Sequence, residues 1–411
     1  MRTTFEAMKP IPFSPPRIDE KTIEAVTEVL RSGWITTGPK TRELEKKIQQ
    51  YIGGGPVLCL NAWTNAVELV LRWMEIGPGD EVIIPAYTYA ATANIVMHIG
   101  ATPVMIDCEP NGFLMDLQKA EAAINERTKV IMPVDFSGLP VHYSAVMEMA
   151  QRNAHLFRPR GENQSKLNRI LVISDAAHSF GALYNGNPVG REVDVAGFSF
   201  HAVKNFTTAE GGALIFNLPA PFDNEQIWKA INMKALHGQT KDALSKTQAG
   251  QWQYDIVEPV YKCNMTDLQA ALGWVEMDRY AQDHLPRRKE IVERYNNAFA
   301  SHDWAILPKM KDETVESSYH LYPLRINGFD EEKRNALIVH LAEMGISTNV
   351  HFQPLPRLSF YKNLGFKEQD FPRAFAQFEN EISLPVYFDL TDEQVDRITS
   401  AINLYMESYS A

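Results

Sequence analysis

The chain has 411 residues, 45% of them hydrophobic and 22% charged, with a formal net charge of −11. That length exceeds a single compact core, and the acidic balance argues against a broad nucleic-acid-binding face. No apolar run reaches the roughly 20 residues that span a bilayer, and the opening MRTTFEAMKPIPFSPPR lacks the apolar segment of a signal peptide.

From about residue 57, short β-branched runs alternate with helical stretches. VLCL (57–60) leads into TNAVELVLRWMEI (64–76), where Val67, Leu71 and Met74 recur at helical spacing. The turn GPGD (77–80) precedes the strand EVIIP (81–85). A helix, ATANIVMHIG (91–100), and a strand, TPVMID (102–107), follow. The rhythm continues through KVIMPVDF (129–136), a helix near Ser144–Ala154, RILVISDA (169–176), VAGFSF (195–200) and GGALIFN (211–217). Apolar strands alternating with helices predict an α/β layer around a largely parallel sheet.

The polar, basic segment HLFRPRGENQSKLNR (155–169) interrupts that pattern and reads as a surface loop. Beyond it, LGWVEMDRYAQDHLPRRKEIVERYNNAF is a long helical stretch opening a smaller α+β region. The last helix, TDEQVDRITSAINLYM, has capping-box spacing at Thr391 and Gln394. These shifts predict a large domain over residues 1–275 and a small one over 276–411, the division being placed to within about ten residues.

No HExxH or similar cluster marks a metal site. Cys59, Cys108 and Cys263 lack metal-ligand spacing and suit a reduced, cytoplasmic protein.

Four stretches carry chemistry. In FSFHAVKN (198–205), followed by TTAEGGAL, Lys204 stands just beyond a buried strand. Its amine can form an imine with an aldehyde cofactor, and Ser199 can donate to a phosphate. In ISDAAHSFGA (173–182), Asp175 closes an apolar strand, where open α/β sheets present ligand sites. A carboxylate there can keep the nitrogen of pyridoxal phosphate protonated, which makes the ring an electron sink. His178 can contact the same ring. In LNAWTNAVEL (60–69), Thr64 and Asn65 stand at a strand-to-helix passage whose amides favour a phosphate. In IPAYTYAATAN (84–94), Tyr89 can stack on a flat heterocycle. Each residue alone has a plainer explanation: a loop lysine, a helix cap, a core histidine or a core aromatic. Convergence at the strand ends of one sheet favours the chemical reading.

These stretches resemble the DegT/DnrJ/EryC1/StrS family of sugar aminotransferases, from SGWITTGPKTRELE (32–45) to LPVYFDLTDEQVDRI (384–398). NMTDLQAALG, SSYHLYPLRI and GISTNVHFQPL belong to the same resemblance. It implies a fold-type-I transferase of the aspartate-aminotransferase kind, using pyridoxal 5′-phosphate with pyridoxamine 5′-phosphate as its intermediate form. Carried over, Lys204 is the Schiff-base lysine and Asp175 the pyridinium partner. Thr64, Asn65 and Ser199 are phosphate contacts, Tyr89 the stacking ring and His178 a cofactor contact. YKCNMTD (261–267) resembles the segment that enters the neighbouring subunit's site, with Asn264, or alternatively Lys262, touching the phosphate. His351 lies near the family's sugar site. The resemblance further implies a homodimer with shared sites, a nucleotide-linked keto-hexose as substrate and glutamate as donor.

Two alternatives remain open at this stage. The related sugar dehydratases replace the lysine with histidine, and a non-catalytic regulator would not need Lys204, Asp175 and Ser199 together. Trp63 departs from the family, which usually has glycine before the threonine, and its indole is expected to cover part of the site.

Overall fold

A computed structural model describes residues 9–240 and 253–410. Its centre is a seven-stranded sheet: β1 (Val57–Leu60), β2 (Glu81–Pro85), β3 (Thr102–Ile106), β4 (Thr128–Ile131), β5 (Leu171–Asp175), β6 (Val195–Ser199) and β7 (Gly212–Phe216). The spatial order is β1-β7-β6-β5-β4-β2-β3. Neighbours from β6 to β3 are parallel, whereas β7 runs antiparallel to both β1 and β6. The expected largely parallel sheet is present. Strands β1, β2, β4, β5 and β7 are buried throughout, as both faces of a helix-covered sheet require.

Helices α1 (Glu20–Ser32), α2 (Pro39–Ile52), α3 (Trp63–Trp73) and α4 (Ala90–His98) precede or interleave the first strands. The motifs SGWITTGPKTRELE and NMTDLQAALG meet through Asp267. Its carboxylate accepts from the Gly38, Lys40 and Thr41 amides. Gly38 has no side chain with which to cap α2, so Asp267 satisfies those orphan donors from another helix. Those two motifs therefore do structural work.

Segment 155–169 is more ordered than a surface loop. It contains the helix Glu162–Leu167, and buried Gln164 donates to the Met74 and Glu75 carbonyls. Arg160 bonds the Pro78 carbonyl and Asp80, pinning the GPGD turn. Short polar helices lack the apolar stripe that periodicity detects.

The long helical stretch is Asp267–Arg279, a π-helical turn at Tyr280–His284, and Leu285–Phe299. A three-stranded sheet of Ala305–Ile306, β8 (Tyr322–Ile326) and β9 (Glu381–Leu384) follows. It anchors a second buried cluster that includes Tyr295, Leu324, Leu337, Ile382 and Ile402. Ile11, far away in sequence, is fully buried in that cluster and bridges to Ile346. Thr391 and Gln394 cap the last helix reciprocally, as their spacing predicts. Among the described residues no helix is long and apolar enough to cross a membrane.

Candidate active site

A cavity of about 530 Å³ opens at the strand ends, walled by residues following β1, β2, β4, β5 and β6. Its far side comes from His320, Leu321 and the segment Asn349–Phe352, with Phe13 and Ser14 of the N-terminal arm at its edge. Thr64, Tyr89, Asp175, His178, Ser199, Lys204 and His351 all border this one space. Asn65 does not; its amide donates to Asn61 Oδ1 at 2.9 Å. Asn264 also lies outside the lining of its own chain, with its amide on Thr37 Oγ1 and its oxygen meeting Lys262 Nζ.

Asp175 is placed by sheet pairing, its amide donating to the Pro133 carbonyl and Ala176 to Gly197. The carboxylate is buried, accepting from Thr92 Oγ1 at 2.8 Å and the Ala177 amide at 3.3 Å. Burial raises its pKa to about 6, against the opposing pull of Thr92, the Ala177 amide and Lys204. Burial likewise lowers the Lys204 ammonium to about 8, partly offset by Asp175. A lysine so poised is neutral often enough to act as nucleophile or base.

His178 accepts the Ser137 amide on Nδ1 at 3.3 Å, which leaves the proton on Nε2. Burial first, then the charge of Lys204, keeps its imidazole neutral. Behind Asp175, the buried Asp135 holds Ser179 and Tyr143 hydroxyls, and desolvation raises it to about 7.

The N-terminus of α3 borders the cavity through Ala62, Trp63 and Thr64. Its N-cap, Ala62, has no side-chain acceptor for the first-turn amides, so those donors and the hydroxyls of Thr64 and Ser199 suit a phosphate. Tyr89 is 64% exposed, tilted against Phe352 at 5.9 Å. An aldehyde-reactive amine, a buried carboxylate and a helix N-terminus on one cavity fit pyridoxal phosphate.

Several site residues were missed by the sequence reading. Thr92 holds Asp175. His320 presents a ring 4.5 Å from that of His178, and its Nδ1 meets Asn205 Oδ1 at 2.8 Å. Asn205 also donates to the Ser318 carbonyl, tying the Lys204 loop to segment 317–321. The signal was present in SFHAVKN and SSYHLYPLRI, but pairing two distant loops needs the fold.

Trp63 corrects an expectation. It borders the cavity, yet it is only 4% exposed and belongs to the core. A Cβ on Gly197 would lie 2.9 Å from Trp63 Nε1 and 2.8 Å from Val67 Cγ2. The edge of the indole therefore occupies space vacated by a glycine on β6, so the residue packs into the core while bordering the cavity.

The DegT/DnrJ/EryC1/StrS aminotransferase family profile matches residues 16–403. The chain belongs to that family. It is an aminotransferase of fold type I, and its cofactor is pyridoxal phosphate. Spore coat polysaccharide biosynthesis protein SpsC of Bacillus subtilis is 37% identical over 399 residues, covering 95% of this chain and 96% of that one. A candidate sugar aminotransferase of Streptococcus pneumoniae, solved in its PMP form, is 49% identical with a TM-score of 0.93, covering 97% and 99% of the chains. PseC of Helicobacter pylori, an aminotransferase of pseudoaminic acid biosynthesis, is 26% identical with a TM-score of 0.86, covering 97% and 100%.

Proposed function

We propose that this aminotransferase transfers an amino group from glutamate to a nucleotide-linked keto-hexose, with Lys204 and Asp175 as its catalytic residues. The observation that carries the reading is that these two face one cavity with mutually opposed charges, Asp175 raised to about 6 and Lys204 lowered to about 8. The sugar as acceptor is supported by the Streptococcus pneumoniae relative, which is described as a sugar aminotransferase.

Pyridoxal phosphate supplies, when bound, an aldehyde carbon and a ring that draws electrons. Lys204 would hold the group through its aldehyde. Its Nζ, lowered to about 8 by burial, would be neutral often enough to take and return a proton at the donor α-carbon. Asp175, a buried carboxylate, would keep the ring nitrogen of the bound group protonated. Thr64 and Ser199, with the first-turn amides of α3 including that of Asn65, would bind the phosphate; Tyr89 and His178 would fix the ring, and His351 would face the sugar.

The protein acts as a homodimer whose YKCNMTD segment, through Asn264, completes the partner's phosphate site. Its domains divide near residue 275, with residues 1–275 supplying most of the cofactor site and 276–411 its far side. An acidic chain of this kind with buried free cysteines suits the cytoplasm. Purified protein incubated with glutamate and a panel of keto-sugar nucleotides should aminate at least one, seen as product mass. Amination of amino-acid-derived ketones alone would overturn the sugar assignment.

A further inference from the structure

Behind His351 lies a chain of hydrogen bonds that the transfer chemistry does not use. Its Nδ1 meets Ser383 Oγ at 2.9 Å, and the Ser383 hydroxyl donates to Glu381 Oε1. The other carboxylate oxygen, Oε2, accepts the His351 backbone amide at 3.0 Å. Glu381 and Ser383 lie on β9 and are fully buried. Asn349 exchanges backbone bonds with Ser383, fixing the segment that carries His351 to the same strand.

We propose that Glu381 is a positioning residue that sets which ring nitrogen of His351 carries the proton, and hence whether the cavity meets a hydrogen-bond acceptor or a donor. This rests on the reading of His351 as a substrate contact. Ser383 has one hydroxyl hydrogen. Given to an ionised Glu381, it obliges Ser383 to accept from His351 Nδ1–H, so Nε2 offers a lone pair. When Glu381 takes up a proton, Oε1 is its place, because Oε2 is held by a backbone amide. Oε1–H then donates to Ser383, Ser383 donates to Nδ1, and Nε2 carries hydrogen toward the cavity. One proton enters from solution and two shift along the chain.

The neighbourhood supports such a switch. Burial raises Glu381 to about 8, opposed by Ser383, the His351 amide and the Arg334 guanidinium from the helix Glu331–Glu343. Tyr87, on the segment after β2, donates to the His351 carbonyl and is itself pushed up by burial and by Glu381. Burial and Lys204 hold His351 down at about 3, and the neighbouring His178 and His320 are also neutral. The ring therefore changes tautomer, not charge, across the working range.

Glu381→Gln fixes the answer. The His351 amide is always a donor and claims the glutamine oxygen, so the glutamine NH₂ donates to Ser383, as protonated Glu381 would. Free enzyme labelled with ¹⁵N-histidine, with the His351 signal identified from a His351→Gln spectrum, reports the tautomer directly by NMR. Wild type should carry the proton on Nδ1 above the Glu381 transition and on Nε2 below it. Glu381→Gln should show Nε2–H at every pH, and Ser383→Ala should abolish the pH-dependent exchange. If Glu381→Gln does not fold, the loss in Ser383→Ala decides. A His351 tautomer that is unchanged by pH in wild type, or that still exchanges in either variant, overturns the proposal. The measurement needs no turnover, so absence of sugar amination would remove the substrate reading while leaving this result standing.

Discussion

Thr92 Oγ1 donates to Asp175 Oδ2 at 2.8 Å, so the first turn of α4 anchors the carboxylate that closes β5. The bond stabilises the ionised form, since burial alone pushes the acid upward. A hydrogen bond to a charged group is worth about 1.5–3 kcal/mol. Thr92→Val keeps the shape and removes the donor. Asp175 should then titrate above its present value of about 6, and the pH below which cofactor binding weakens should rise with it. Cofactor dissociation constants across pH measure this; an unmoved profile would show that Thr92 does not tune the acid.

Asp175 also tunes the reactivity of Lys204. Its ammonium lies near 8, lowered by burial and raised by Asp175. Only the neutral amine attacks an aldehyde, so the rate of pyridoxal phosphate capture by apoenzyme should rise as pH rises through about 8. Asp175→Asn removes the raising charge, and the midpoint should move to lower pH. Turnover should nevertheless fall on the order of 10²–10³-fold, the scale of losing one electrostatic contact in a catalytic site. Borohydride should fix the cofactor to Lys204, and Lys204→Ala should bind it without a covalent link. Label on another lysine would refute the assignment.

Why so much of this site was legible follows from where its residues stand. Asp175 closes one apolar strand and Lys204 stands just beyond another, and strand ends can be read from short β-branched runs. Local sequence likewise exposes Thr64 at the start of α3. Thr92, His320 and Glu381 were invisible for the opposite reason. Thr92 is distinguished only by the side chain it touches 83 positions away, and Glu381 only by its distance from His351 across a sheet edge. A periodic pattern reports burial and element type, not which partners meet. Segment 155–169 escaped because its stabilising contacts, Gln164 to Met74 and Arg160 to Asp80, are polar.

Dimerisation can be tested through the shared site. Each parent, Lys204→Ala or Asn264→Ala, should be impaired, the first by losing the base and the second by weakening a phosphate contact supplied to its partner. Mixed after subunit exchange, one of the two sites in a hybrid draws both intact residues and should regain activity. Sedimentation should show a dimer. Strict additivity of the two defects in exchanged hybrids, or a fully active monomer, would refute the shared site.

Trp63 and Gly197 give the last prediction, because they decide whether the residue at the family's usual glycine position shapes the pocket or the core. The indole edge fills the place of a Gly197 side chain, and Nε1 finds no hydrogen-bond partner among the described residues. Removing a buried Trp side chain costs about 3–5 kcal/mol, chiefly through the cavity it leaves. An unpaired buried N–H returns about 1–3 kcal/mol when it is deleted. Trp63→Gly should therefore lower the melting temperature sharply, while Trp63→Phe, which fills much of the space and removes the orphan donor, should come close to wild type. Gly197→Ala should destabilise by about 1–3 kcal/mol, because the added methyl meets the indole and Val67 at 2.8–2.9 Å. Combining Gly197→Ala with Trp63→Phe should cost less than the sum, since the phenyl ring lacks the pyrrole edge that collides. Thermal melts of the four variants, with kinetics on the folded fraction, separate the possibilities. Unchanged melting with altered substrate selectivity in Trp63→Gly would return the indole to the pocket.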